Sequence, residues 1–132
     1  YAETFCYLGH SDALKADLTA IENLDYGVGL RRPVAVAEID DVLARTGLSA
    51  CRSLQARVLS AGQKRRLAIA RVMLAAAPLW ILDEPFTNLD RAGVALLSGV
   101  IAEHLDHGGA AIIAAHQPPA IPRHGASCLE LG

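Results

Sequence analysis

Two adjacent carboxylates, Asp83 and Glu84, directly follow a run of four apolar residues at positions 79–82. A pair of carboxylates at the end of a strand suits phosphoryl transfer. The first can hold Mg²⁺, usually through water, and the second can orient the attacking water or take its proton. An ordinary strand with an acidic exit loop has the same pattern, so the pair alone leaves both interpretations open.

A second candidate site lies in residues 59–63, where a turn of small residues leads directly into a predicted helix. Free backbone N–H groups and the positive end of the helix dipole suit an anion such as a terminal phosphate. Ser60 can add its hydroxyl, and Gly62 allows a close approach of the backbone. A capped helix with no ligand explains the same residues, and for this segment alone it is the favoured interpretation.

A third candidate is His116, which follows a six-residue apolar segment at 110–115. A lone histidine at a strand end is more often structural than catalytic. At this position His116 could hydrogen-bond a terminal phosphate or position the Glu84 carboxylate.

The elements that position these residues are predicted from hydrophobic periodicity and from capping and breaking residues. Thr19 followed by Glu22 is a capping-box pattern, and Gly27, Gly29 and Pro33 predict that this helix ends early. Ser60 is the predicted N-cap of a later helix. The predicted elements are strands at 5–8, 79–82 and 110–115, helices at 20–26, 36–46, 60–76 and 90–107, and a candidate edge strand at 127–131.

This order of elements predicts an α/β architecture with a parallel sheet, in which the runs at 79–82 and 110–115 are buried strands. Ligands of such sheets bind just past the carboxyl ends of the strands. Asp83, Glu84 and His116 all fall there, so the pattern predicts that they share one site.

Composition limits the function classes. The chain has 132 residues, 52% of them hydrophobic, with a formal net charge of −2. It therefore has no basic excess that would favour nucleic acid or an anionic membrane. The longest apolar run, 72–82, is too short to span a bilayer, which takes roughly 20 residues. Three scattered cysteines favour a reducing, cytosolic compartment. Because the chain begins with Tyr1 and its only methionine is Met73, we expect further residues upstream.

The order and spacing of these motifs resemble the ABC ATPase family. Residues 59–63 (LSAGQ) resemble its signature motif, and 79–84 resemble Walker B with the catalytic glutamate. Residues 88–90 resemble the D-loop, and His116 resembles the switch histidine. The resemblance covers nearly the whole chain, and the joint match is highly specific. His10 stands where the family usually has the Q-loop glutamine, which weakens a metal or water contact there.

The resemblance implies a P-loop NTPase-type nucleotide-binding domain with ATP and Mg²⁺ as ligands. It implies a helical subdomain at about 11–76 and a RecA-like α/β part at about 77–132, without the N-terminal strands. Asp83 would hold the metal, and Glu84 and His116 would be catalytic. The implied nucleotide contacts are Ser60, Gly62, Gln63, Asp90 and His10. Ser60 and Gly62 would act in trans, on the nucleotide of a second subunit in a head-to-tail dimer.

The pattern GxxxxGK[ST] of the phosphate-binding loop does not occur in the 132 residues. The family places this loop before the Q-loop, so we expect it upstream of Tyr1. Without it, the isolated chain is expected to be inactive as an ATPase and to bind ATP poorly.

A narrower resemblance is to the cytochrome c maturation ATPases. It depends mainly on His10 at the Q-loop position, Ala61 in the signature motif and Trp80 in Walker B. It implies an ATPase on the cytoplasmic side of the bacterial inner membrane, docked on an integral membrane permease and associated with haem handling, with no nucleic acid partner. The alternatives are the ATPase of another transporter, a non-transport machine, or an inactive fragment that acts only as a binding module.

Two further groups have ordinary interpretations. His104 and His107 could hold a metal, but no third ligand is evident and a solvated helix end is favoured. Lys64, Arg65 and Arg66 are interpreted as a solvated helix face rather than a nucleic-acid site.

Overall fold

The computed structural model describes residues 4–116. Its main elements agree in type with those predicted over this range, whereas the candidate strand at 127–131 lies outside the described residues. The elements are β1 (Phe5–Leu8), α1 (Ala20–Gly29), α2 (Val36–Arg45), α3 (Ala61–Ala75), β2 (Leu79–Asp83), α4 (Arg91–Asp106) and β3 (Ala110–Ala114), with short 3₁₀ turns at Ser49–Cys51 and Ala56–Val58.

The strands described in residues 4–116 form a parallel sheet in the order β1-β2-β3. Leu8 lies opposite Leu82 in β2, and Asp83 at the end of β2 lies opposite Ala114 in β3. The carboxyl ends of the strands therefore meet at one edge of the sheet. This confirms the predicted parallel arrangement and brings the segments that follow the strands close together.

Helix α3 packs between two hydrophobic cores. One side of α3, including Leu67, Ala70 and Leu74, packs with α1 and α2 in a helical core. Another side, including Ala68 and Ile69, packs with the sheet and α4 in a second core. Helix α3 thus packs against both the helical part of the chain and the α/β part.

Helix α1 is longer than predicted. It continues through Gly27 and ends at Gly29, because the burial of Val28 in the helical core offsets the unfavourable helix propensity of the two glycines. Gly27 also lies against α3, where a Cβ atom would meet Arg71 Cδ at 3.0 Å. The prediction that glycines end the helix at residue 26 was wrong, since tertiary packing outweighs the local propensity.

The prediction of fully buried strands was also wrong. Trp80 and Leu82 of β2 face α3 and α4, but alternate residues of β2 are only half-buried, and β3 alternates between half-buried and exposed. Ile112 is 59% exposed. The physical reason is that, within residues 4–116, helices pack against only one face of this sheet.

The predicted capping box at Thr19 is confirmed. Its Oγ1 accepts a hydrogen bond from the Glu22 N–H at 3.2 Å, and the Glu22 carboxylate accepts one from the Thr19 N–H at 3.0 Å. Thr19→Ala is expected to lower the free energy of unfolding by about 1 kcal/mol, because helix α1 loses its cap. Urea unfolding monitored by circular dichroism measures this change.

The control for this prediction is Ser53→Ala, which removes a hydroxyl from an exposed turn residue. It is expected to change the free energy of unfolding by less than about 0.5 kcal/mol. Equal losses from the two substitutions would contradict the capping role.

Cys6 and Cys51 are buried among the core residues, as is common for cysteine outside disulfides. Among residues 4–116, none of the helices combines the length and the apolar character that crossing a bilayer requires.

Candidate functional site

The edge formed by the strand ends carries His10, Asp83, Glu84 and His116, which we call the edge cluster. The Glu84 N–H donates to the Ala114 carbonyl at 2.8 Å, so the segment after β2 is fixed to β3. Glu84 Oε1 lies 3.4 Å from Nε2 of His116. The two candidate catalytic residues are thus side by side, as their positions at neighbouring strand ends predict.

The edge cluster is open to solvent. The side chain of His116 is 96% exposed and that of Glu84 is 32% exposed. His10 is exposed, and Asp83 is half-buried at the end of β2. An imidazole beside a partly exposed carboxylate can orient that carboxylate, donate a hydrogen bond to an anion and leave room for an attacking water.

The carboxylates of Asp83 and Glu84 suit a metal ion that binds jointly to the protein and to a phosphate ligand. No group of three or more His, Cys, Asp or Glu in residues 4–116 could hold a metal ion alone. Mg²⁺ in phosphoryl-transfer sites commonly takes one or two carboxylates and completes its shell with water and phosphate oxygens. The Asp83 carboxylate, adjacent in sequence to Glu84, suits this kind of site.

The signature segment forms the amino end of α3. Ser60 is the N-cap: its Oγ accepts from the Gln63 N–H at 3.1 Å, and Gln63 Oε1 accepts from the Ser60 N–H at 2.9 Å. The side-chain oxygen of Gln63 is therefore engaged in a capping box. The first N–H groups of a helix have no partner inside the helix, so the amides of Ala61 and Gly62 are the natural anion donors here.

Gly62 lies against the D-loop segment. A Cβ atom built on Gly62 would meet the Asn88 carbonyl oxygen at 3.2 Å, which is a tight contact with backbone. Glycine at this position lets the amino end of α3 approach the loop after β2.

A cavity of about 310 Å³ lies at the amino end of α3, and we call it the signature cavity. It brings together four of the predicted nucleotide contacts with one unpredicted arginine. Its lining residues are Gly47, Leu48, Ser60, Gly62, Gln63, Arg66, Asn88, Leu89 and Asp90. None of the edge cluster lines it, so the predicted site residues fall into two separate groups.

Asp90 caps α4 at the rim of the signature cavity. Its Oδ1 accepts from the Gly93 N–H at 2.8 Å and from Arg66 at 3.3 Å. The Gly93 N–H, followed by Arg66, lowers the pKa of the Asp90 carboxyl below its usual value. Asp90 is therefore charged at neutral pH and held in place by the helix that it caps.

The prediction that residues 64–66 form a solvated helix face was wrong for Arg65. Its side chain is 1% exposed, and its guanidinium bonds the carbonyls of Asp83, Glu84 and Pro85. Arg65 precedes the buried Ile69 by four residues, so it falls on the helix face that packs on the sheet. This spacing is the sequence signal that could have identified Arg65, but three consecutive basic residues obscured it.

A cavity of about 360 Å³ lies at the opposite end of the sheet, next to Pro78 and Gly109. His104 stacks on Trp80 there, with ring centroids 3.8 Å apart, and its Nε2 lies 3.0 Å from the Ala110 carbonyl. Nδ1 of His107 lies 2.7 Å from the Glu103 carbonyl. These contacts favour the structural interpretation of both histidines over a metal site.

The family model described as ABC transporter matches residues 2–87, which include β1, α3 and the Asp83–Glu84 pair. The chain belongs to the ABC transporter family. Asp90 and His116 lie beyond the matched segment.

Curated relatives support the narrower resemblance to the cytochrome c maturation ATPases. Proteins named cytochrome c biogenesis ATP-binding export protein CcmA are 49% identical over 88% of this chain in Methylococcus capsulatus and 44% identical over 96% in Dechloromonas aromatica. The prediction of an ABC ATPase most similar to this group is confirmed. The chain spans 56% and 63% of the length of these two relatives.

Solved structures of the family have the same fold. The ATP-binding cassette MJ0796, described as a dimeric post-hydrolysis state bound to ADP and Pi, covers 87% of this chain with a TM-score of 0.79 at 20% identity. CbiO1 from Clostridium perfringens, described as part of an ABC transporter complex, covers 86% with a TM-score of 0.67 at 28% identity. This chain covers 53% and 47% of those two chains, respectively. The predicted fold class, an ABC-type α/β domain, is confirmed.

Proposed function

We propose that this chain is the part of an ATP-hydrolysing ABC subunit that carries the water-activating groups and the signature motif. The observation that supports this best is the separation of the predicted residues into two groups. The edge cluster holds Glu84 beside His116, whereas the signature cavity holds Ser60 and Gly62 at a helix amino end. An enzyme with composite sites needs this division, because each subunit supplies one group to its own nucleotide and the other to its partner's.

In the edge cluster, Glu84 acts as the general base that takes a proton from the attacking water, and Asp83 would hold the metal. Mg²⁺ at such a site neutralises charge on the phosphates. His116, 3.4 Å from Glu84, keeps the carboxylate in place and can donate to the terminal phosphate. His10, exposed after β1, contacts the nucleotide from the neighbouring strand end.

In the signature cavity, Ser60 and the Gly62 N–H bind the terminal phosphate of the nucleotide that the second subunit holds. The positive end of the α3 dipole favours that anion. Gln63 keeps Ser60 oriented through the capping box. Asp90 stands at the rim of the same cavity, where it can contact the second subunit in a head-to-tail dimer.

The transport role that we propose is haem handling in cytochrome c biogenesis, in line with the names of relatives that are 42–49% identical. The helical core, within about residues 11–76, would dock on an integral membrane permease of that system. Residues from about 77 to 132 would form the RecA-like catalytic part, and β1 and α3 contribute side chains to its core. The protein would be peripheral, on the cytoplasmic side of the bacterial inner membrane.

ATP hydrolysis is tested with an extended protein, in which an ABC-family segment that carries the expected GxxxxGK[ST] loop is fused before Tyr1. We expect Mg²⁺-dependent hydrolysis by the extended protein and none by residues 1–132 alone. Rapid turnover by residues 1–132 would refute the need for a phosphate-binding loop. A folded, inactive extended protein would favour the binding-module alternative.

The transport role is tested separately, in a bacterium that lacks its own relative of this protein. The extended protein is expected to restore haem-stained c-type cytochromes, and a Glu84→Gln version is expected not to. Active hydrolysis without restoration would favour the ATPase of another transporter or a non-transport machine.

A further inference from the structure

Arg65 is a buried cation whose surroundings are almost entirely backbone. It lies five residues after Ser60 on α3, or about one and a half helical turns, and its side chain is 1% exposed. A buried charge is tolerated only when it is paired and fully hydrogen-bonded. Its partners therefore show what the residue holds.

A guanidinium carries five N–H donors in a fixed plane, and each one has an acceptor here. Within residues 4–116, only one of these acceptors is a side chain, the Asp12 carboxylate. The bonds run from Nε to the Pro85 carbonyl at 3.3 Å, from Nη1 to the Gly9 carbonyl at 2.9 Å and to Asp12 Oδ1 at 2.9 Å, and from Nη2 to the carbonyls of Asp83 at 3.4 Å and Glu84 at 2.8 Å.

The backbone that Arg65 holds is unusual at the catalytic position. Glu84 has a φ of 48°, in the left-handed region that glutamate rarely adopts. Such a conformation persists only where its surroundings determine it. Arg65 bonds the carbonyls on both sides of the Glu84 Cα atom, those of Asp83 and Glu84 itself, and the Glu84 N–H bonds β3.

We propose that Arg65 is a positioning residue that fixes the Glu84 carboxylate by holding the backbone around it. This inference rests on the proposed function, since it gives Glu84 the role of the base. Because Ser60 caps the helix that contains Arg65, a single element carries both the signature serine and the side chain that holds the Glu84 backbone.

The test is Arg65→Lys in the extended protein. Lysine keeps the charge, but its three donors cannot reach five acceptors in one plane. The value of kcat for ATP hydrolysis is expected to fall about tenfold to a hundredfold, since small displacements of a catalytic group have effects of this size. The KM for ATP is expected to stay within about twofold, because the hydrogen bonds of Arg65 go to none of the predicted nucleotide contacts.

The matched control is Arg32→Lys. Arg32 also donates two N–H groups to a backbone carbonyl, that of Leu74, and it pairs with Glu38. It lies in the loop between α1 and α2, however, and does not bond the backbone at Glu84. It is expected to change kcat by less than about twofold. A purely structural role of Arg65 predicts instead that kcat falls only in proportion to the folded fraction in both variants, and that result overturns the proposal.

A second variant, Asp12→Ala, keeps the proposal testable if Arg65→Lys does not fold. It removes only the partly exposed acidic acceptor. A smaller fall in kcat, about twofold to tenfold with KM unchanged, is expected, because the guanidinium loses one of its anchors. An unchanged kcat in folded Asp12→Ala or in folded Arg65→Lys overturns the proposal. A different result would refute the proposed function, namely an extended protein that is folded and unsubstituted but does not hydrolyse ATP.

Discussion

Replacing Glu84 with glutamine is expected to lower kcat for ATP hydrolysis by the extended protein about 10²- to 10⁴-fold, the usual contribution of a general base. The amide has the size of the carboxylate but cannot take a proton from water. The backbone at Glu84 is held by Arg65 and Ala114 rather than by its own side chain, so the fold is expected to persist. ATP binding should remain, and the dimer should stay closed around unhydrolysed nucleotide.

The measurements are steady-state phosphate release, ATP binding by calorimetry and dimer formation by size-exclusion chromatography with ATP. The matched control is Glu103→Gln, the same chemical change at an exposed ion pair with Arg45. Exposed ion pairs contribute little to stability, so this variant should hydrolyse ATP normally. Unchanged hydrolysis in Glu84→Gln would refute the assignment of Glu84 as the base.

Ser60→Arg is expected to lower turnover by at least about a hundredfold, because its bulk would keep the phosphate away from the preorganised donors at this helix end, including the N–H groups of Ala61 and Gly62. The long side chain would occupy the signature cavity, which measures about 310 Å³, and would replace the hydroxyl that faces the phosphate. ATP binding by the single subunit should stay nearly intact, because that nucleotide lies in the other composite site. Calorimetry on the monomer and phosphate release from the dimer measure the two effects.

The control for Ser60→Arg separates the effect of filling the signature cavity from the effect of losing the N-cap of α3. Ser60→Ala also removes the hydroxyl that accepts from Gln63, at a cost of about 1 kcal/mol of stability, but adds no bulk. If the two variants have the same melting temperature, Ser60→Ala should retain much more ATP hydrolysis than Ser60→Arg. Loss of ATP binding in the Ser60→Arg monomer would contradict the role in trans.

Mixing the two inactive proteins tests the role in trans directly. A heterodimer of Ser60→Arg with Glu84→Gln has one site with an intact Glu84 and an intact partner Ser60. In an equal mixture that pairs at random, about half of the dimers are heterodimers, and one of the two sites in each heterodimer is intact. The mixture should therefore recover up to about a quarter of the active sites of the wild-type protein. No recovery, with heterodimers confirmed by mass spectrometry, would place both residues at the same nucleotide.

Local features could be predicted from residue types and short spacings. The caps at Thr19 and Ser60 are confirmed because their hydrogen bonds join residues three apart. The Asp83–Glu84 pair stands at the end of a parallel strand as predicted, because an apolar run bounded by charge leaves few alternatives. The assignment of catalytic and nucleotide-binding roles stays a prediction, which the variants above test.

Features that depend on distant residues were predicted less well. Helix α1 continues through Gly27 and ends at Gly29, because packing of Val28 in the helical core outweighs the helix-breaking tendency of glycine. Strand β3 is partly exposed, because the burial of a strand depends on which helices cover each face and not on its own apolar residues.

By itself, the sequence determined the order of elements, the two carboxylates at the end of β2 and the small-residue turn at the start of α3. Only the tertiary structure decided that Glu84 lies 3.4 Å from His116 and that Arg65 is buried against the catalytic backbone. The physical reason is separation along the chain. Arg65 bonds Gly9 across 56 positions, and no local pattern encodes a contact made only when the sheet assembles.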